Sequence, residues 1–205
     1  MNNPLSYQAT EFDCGPTALR NAISFLYERK DIHPEVIKFI HLYCMDGYNK
    51  EGEPGKSGTS ALAMVFLANW LNQYGQVKKW PIHCQVLGSD DIKMSQNSRI
   101  VAALQQGGVA VVRVILECGH YVLLTGVNGE YVNVFDPYYW PHDFPDKKII
   151  TVLDQPDAYN RKIHWDVFNS EGSDYYNFGP KELRECVLIF NEETRMGSET
   201  VEYTI

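Results

Sequence analysis

The sequence predicts an α+β protein, helices first and an antiparallel sheet after them. The apolar residues of "CGPTALRNAISFLY" (14–27) recur at helical spacing, whereas "GVAVVRVILE" (108–117) is continuous and β-branched. Asn128-Gly129, set between "GHYVLLTGV" and "EYVNVFDP", is the strongest two-residue signal for a β-hairpin. The 205 residues read as a single domain, with a helical half over about 1–106 and a sheet half over about 107–205.

In chain order, the first helix runs from about Cys14 to Tyr27. Ala18, Ala22 and Phe25, beside Leu19, Ile23 and Leu26, form one broad apolar stripe. Pro16 suits the first turn, where a missing N–H leaves no bond unmade. "HPEVIKFIHLYC" (33–44) predicts a second helix with Pro34 at its start. "DGYNKEGEPGKSGTS" is a loop, after which Thr59 or Ser60 caps a third helix through about Tyr74. The "GEPGKS" inside that loop is no phosphate loop, because the motif needs glycine where Lys50 stands and a strand ahead of it.

A short strand and turn come at 82–91, then a helix at 97–106 stopped by Gly107-Gly108. The buried strand and the hairpin come next. Residues 138–177 are aromatic and polar with weak periodicity, predicting long loops and a strand near 147–153. A short helix and a last strand at about 186–191 complete the order.

Composition narrows the function classes. At 44% hydrophobic and 13% aromatic the chain can bury a core, and a net charge of -8 with no basic run excludes a nucleic-acid partner. No apolar stretch is long enough to span a bilayer, so no integral membrane segment is expected. The N-terminus shows no Sec signal peptide, and the five cysteines lack a CxxC pair. A cytoplasmic protein is the expectation, with export by a route other than Sec left open.

The chemistry centres on "QATEFDCGPTAL" (8–19). Cys14 stands where a helix begins, and the partial positive charge there lowers a thiol pKa, as does a nearby imidazolium. His120 follows a glycine at a strand start, with Val122 and Leu124 alternating after it. Asp136 lies sixteen residues on, at the end of the partner strand. Pairing about Asn128-Gly129 makes positions summing to 257 face one another, so residue 121 opposes Asp136. His120 and Asp136 then fall on opposite faces unless a one-residue bulge or offset intervenes. With one, the carboxylate orients the imidazole. Gln8 supplies an amide donor upstream of the thiol, as an oxyanion requires.

The order Gln8, Cys14, His120, Asp136 resembles that of the papain-like cysteine peptidases. More narrowly, "QATEFDCGPTAL", "GHYVLLTGV" and "VFDP" resemble the bacteriocin-processing peptidases that cut after double-glycine leaders, and their free-standing relatives. The resemblance covers residues 6–26 and 97–139. It implies a papain-like fold, N-terminal helices packed on a C-terminal antiparallel sheet, with nucleophile Cys14, base His120, orienting Asp136 and oxyanion donor Gln8. The substrate is then a peptide or another amide, and no cofactor or metal is required.

Acyl or amide transfer on the same scaffold and a non-catalytic peptide-binding module are the alternatives. A zinc site of Cys14, Cys118, His120 and Asp136 lacks the usual paired C-x2-C ligands. Cys44, Cys84 and Cys186 read as core, and His142-Asp143 lacks the strand context of a base. Oligomeric state is left open.

Overall fold

In the computed structural model, which describes residues 3–170 and 175–197, the helices precede the sheet. The first helix, α1 (Cys14–Leu26), buries Ala18, Leu19, Ala22 and Ile23 along one face, as its apolar spacing dictates. α2 (Pro34–Cys44) starts on its proline, and α3 (Ala61–Lys78) is capped by Ser60, whose side chain accepts from the Ala63 N–H. α3 runs a turn beyond its expected end and stops at Lys79, in the left-handed region at φ 53°.

Seven strands make up the sheet: β1 (Ile82–Val86), β2 (Val109–Leu116), β3 (Cys118–Asn128), β4 (Tyr131–Phe135), β5 (Ile149–Thr151), β6 (Arg161–His164) and β7 (Cys186–Asn191). All pairs are antiparallel, in the order β1-β7-β2-β3-β4-β6-β5. Two short helices, α4 (Arg99–Gln105) and α5 (Trp165–Asn169), cover the face opposite α1. The chain is thus α+β, as its order of patterns indicates. β6 and α5 arise where the sequence suggests only loop.

Strand alternation divides the interior into two cores. Val109, Val111, Tyr121, Leu123, Phe135, Val187 and Ile189 turn toward α1, α2 and α3. Val112, Val114, Val122, Leu124, Val134 and Leu188 turn the other way, against α4, α5, Phe144, Tyr176 and Phe178. The long strand β2 is apolar on both sides because both faces are covered.

The β3–β4 hairpin settles the register on which the site depends. Asn128 pairs with Tyr131, so the loop residues are Gly129 and Glu130, and Gly129 takes a positive φ of 61°. Pairs near the turn therefore sum to 259 and not 257. A bulge between Leu124 and Gly126 then shifts the pairing, so that Leu123 faces Phe135. Extending that register by one residue sets Asp136 opposite Val122, on the face that His120 shares.

α1 approaches the loop before α3 so closely that only glycine fits at its second position. A Cβ on Gly15 would lie 2.2 Å from Thr59 Oγ1 and 2.7 Å from Thr59 Cβ. Gly15→Ala is therefore expected to lose about 1–3 kcal/mol of unfolding free energy by overpacking, despite alanine's better helix propensity. Urea denaturation is the check; a variant as stable as the parent refutes the crowding.

Candidate active site

Three elements converge where β4 ends. β3 continues past its last pair with β4, leaving its first residues bonded to β2 on one side only. Into that notch α1 delivers its N-terminal residue. The His120 ring and the backbone N–H groups of Tyr121 and Gly15 lie close enough to the Cys14 sulfur to favour its thiolate. A thiol from the helix-covered face so meets an imidazole that belongs to the opposite face.

The second ring nitrogen of His120, Nε2, lies 2.7 Å from Asp136 Oδ1. Nδ1 is the ring nitrogen that Asp136 does not engage. The same Oδ1 accepts the Tyr138 N–H at 2.8 Å, and the Tyr176 hydroxyl donates to Oδ2 at 2.6 Å. Asn160 grips the Asp136 backbone from both sides, accepting its N–H at 2.8 Å and donating to its carbonyl at 2.7 Å. Cys14, His120 and Asp136 are all buried, at 7%, 6% and 1% exposure, so the charges among them are little screened by water.

These contacts set the charge states. For Cys14, burial pushes the thiol up, but the hydrogen bond and charge of His120, with the Tyr121 and Gly15 N–H groups, outweigh it and leave the pKa below its usual value. For His120, burial disfavours the proton, yet Asp136 by charge and hydrogen bond, and Cys14 after it, raise the imidazole to about 10. Burial likewise opposes ionisation of Asp136, and His120, Tyr176 and the Tyr138 N–H reverse it, holding the carboxyl below its ordinary range. The three shifts favour the charged form of each group: thiolate, imidazolium and carboxylate.

Gln8 is placed differently. Its backbone N–H donates to the Pro137 carbonyl at 2.8 Å, one residue past Asp136, and its side-chain amide donates to the Thr10 carbonyl at 2.8 Å. Among the described residues no hydrogen bond joins it to Cys14, His120 or Asp136, and its Oε1 is buried without a partner. The five-residue gap before Cys14 is folded by Asp13. Its carboxylate gathers the N–H groups of Ala9 and Thr10, at 3.1 and 2.7 Å, and the Thr10 hydroxyl at 2.7 Å. Asp13 precedes the first helical residue without capping the helix; it ties the incoming turn instead.

Gly119 admits the Arg113 guanidinium across its Cα, where a side chain would stand 2.1 Å from a guanidinium nitrogen. Arg113 in turn meets Glu185 at 3.7 Å, and Glu185 accepts from the Tyr121 hydroxyl. Cys44, Cys84 and Cys186 are buried, and burial drives each thiol well above its usual value; Cys118 is exposed. His142 stacks edge-on against Trp140. Asn160 and Tyr176 are absent from the residues that the sequence singles out, because they lie in the stretch without periodicity. Their signal, polar groups in a segment that turns out to be buried, is faint without the fold.

No protein-family model matches this chain, and no curated protein matches it. Solved structures do match. One is a double glycine motif protease from an AMS/PCAT transporter, in complex with the leader peptide. It is 14% identical over 91% of this chain and 89% of that one, with a TM-score of 0.42. Another is the peptidase domain of Streptococcus ComA, a bi-functional ABC transporter involved in a quorum-sensing pathway. It is 16% identical over 91% of this chain and 96% of that one, with a TM-score of 0.46.

The charge states carry a test that needs no substrate. At pH 6, iodoacetamide is expected to label the Cys14 peptide ahead of that of the exposed Cys118, because only Cys14 has a built stabiliser for its thiolate. His120→Ala removes the positive charge, raises the Cys14 pKa and slows labelling at pH 6. The difference from wild type closes only well above roughly 8.5, the ordinary thiol value, because burial raises the Cys14 thiol once the imidazole is gone. First labelling at any other cysteine, read by peptide mass spectrometry, refutes the assignment.

Proposed function

We propose that this chain is a cysteine peptidase or amide hydrolase, with Cys14 as nucleophile, His120 as acid and base, Asp136 as the orienting carboxylate and Gln8 as an oxyanion donor. The observation that carries this reading is the convergence of the Cys14 sulfur, at a helix N-terminus, with the His120 ring, whose Nε2 lies 2.7 Å from Asp136. A structural cysteine needs no such convergence.

Catalysis starts from the thiolate. Cys14 attacks an amide carbonyl carbon, a C–S bond forms, and the carbonyl electron pair moves onto oxygen. Cys14 is the first helical residue, so its N–H lies ahead of the helical ladder and can donate to that oxygen. The Gln8 side-chain amide, which gives one N–H to the Thr10 carbonyl, has a second for the same oxyanion. The imidazolium of His120 then gives its proton to the departing amine as the C–N bond breaks, leaving a thioester on Cys14. Water, deprotonated by the now neutral His120, attacks the thioester, and collapse releases the acid and restores the thiolate with the imidazolium. Asp136 keeps the ring presented and its charge matched throughout without taking the proton.

A peptide aldehyde that forms a thiohemiacetal on Cys14, and on no other residue by mass spectrometry, tests the nucleophile. Gln8→Ala tests the donor. On a fluorogenic peptide amide that the parent cleaves, kcat is expected to fall about 10²–10³-fold with KM little changed, since the donor acts on the oxyanion more than on the ground-state carbonyl. Cys14→Ala abolishes turnover. A Gln8→Ala variant with the parent kcat removes Gln8 from the site.

A further inference from the structure

Behind the carboxylate lies a second buried charge that takes no part in the proposed hydrolysis. Arg161, on β6, is 1% exposed and is the largest of the fully buried side chains. A cation in that position loses its hydration and is costly unless opposite charge and hydrogen bonds offset the loss. Its guanidinium donates to the carbonyls of Asn160, at 2.7 Å, and Trp140, at 2.5 Å, and lies over the Phe144 ring at 5.5 Å. None of these is an anion, and among the described residues no carboxylate is within ion-pair distance.

The guanidinium also bears on the Tyr176 hydroxyl, which donates to Asp136 Oδ2 at 2.6 Å. Burial and the Asp136 charge hold the phenol well above its ordinary pKa, so the hydroxyl keeps its proton and acts as a donor. The peptide that carries Asn160 and Arg161 grips the Asp136 backbone at the same time.

From this geometry we infer that Arg161 is the buried counter-charge of Asp136, coupled to it through the Tyr176 hydroxyl, and that it sets the charge balance of the His120–Cys14 pair. Arg161 and Tyr176 are positioning residues: neither touches the sulfur or the reacting carbonyl. The inference deepens the peptidase reading, on which it rests only for its consequence in turnover.

The charges that face the cluster fix the sign. These are Cys14 from α1, His120 from β3, Asp136 at the end of β4, Arg161 from β6 and the Tyr176 phenol. Tyr121, next to His120, is turned toward Glu185, which Arg113 accompanies. Removing the Arg161 charge disfavours the thiolate, so Cys14 titrates higher. It also relieves repulsion of the imidazolium, so His120 holds its proton more tightly and gives it up less readily to a leaving amine. Both pKa values move upward together.

The test is the pH dependence of Cys14 alkylation by iodoacetamide, followed on the labelled peptide. Arg161→Met is expected to move the inflection up by about one pH unit. Arg161→Lys, which keeps the charge, leaves it at the wild-type value. Tyr176→Phe, which keeps the ring and removes the hydroxyl, moves it in the same direction by less. A merely structural arginine would destabilise the fold and leave the inflection where it was, so a folded Met variant with the wild-type profile overturns the inference.

Should Arg161→Met not fold, the double variant with Asp136→Asn decides. Recovery of folding on removing both charges supports the pairing; an unfolded double variant beside a folded Asp136→Asn single variant refutes it. Alkylation and unfolding need no substrate, so failure to find a cleaved peptide counts against the peptidase reading alone.

Discussion

His120 is 6% exposed, and an imidazolium at that depth would give way to the neutral ring unless its neighbours outweighed the hydration it has lost. Asp136 does so foremost, with Cys14 after it, and hydrogen bonds hold the carboxylate in place. The Asp136 carboxylate has three donors besides its own backbone clamp, and the Tyr121 and Gly15 N–H groups favour the Cys14 thiolate. Much of the local architecture serves that one requirement: the notch past the end of β4, the bulge that brings Asp136 to the proper face, and the turn that Asp13 ties ahead of the helix.

Because each partner is stabilised in its charged form chiefly by the others, the site is cooperative. Taking away the imidazole leaves a buried sulfur whose ionisation is opposed by burial. Taking away the carboxylate leaves an imidazole for which burial favours the neutral form. Helix-terminal thiols and strand-end histidines are each common; their mutual charging depends on geometry that neither motif supplies alone.

What the amino-acid sequence discloses here depends on whether the signal is local. α1, α2 and the capped start of α3 are legible because apolar spacing, two prolines and Ser60 are local facts. Cys14, His120 and Asp136 are legible through their order. Their contact is not, since it hangs on one extra residue in β3 and on a turn centred one position later than Asn128-Gly129 indicates. β6 stays hidden because its inward positions are Arg161 and Ile163, and a buried cation breaks the apolar alternation by which strands are recognised. Gln8 marks the limit of inference from spacing: its backbone reaches the corner beside Asp136, while its amide bonds within its own turn.

The sheet order has a consequence for how the molecule is made. β7, the last of the described strands, lies between β1 and β2, so β1 has no sheet to join until Cys186–Asn191 has been synthesised. Val187 and Ile189 on that strand also fill the core beneath α1. A growing chain can form its helices and the β2–β3–β4 meander early, but the surface that seats α1 is complete only once this late segment inserts. The packing around Cys14 is therefore completed only after the region that bears it has been translated.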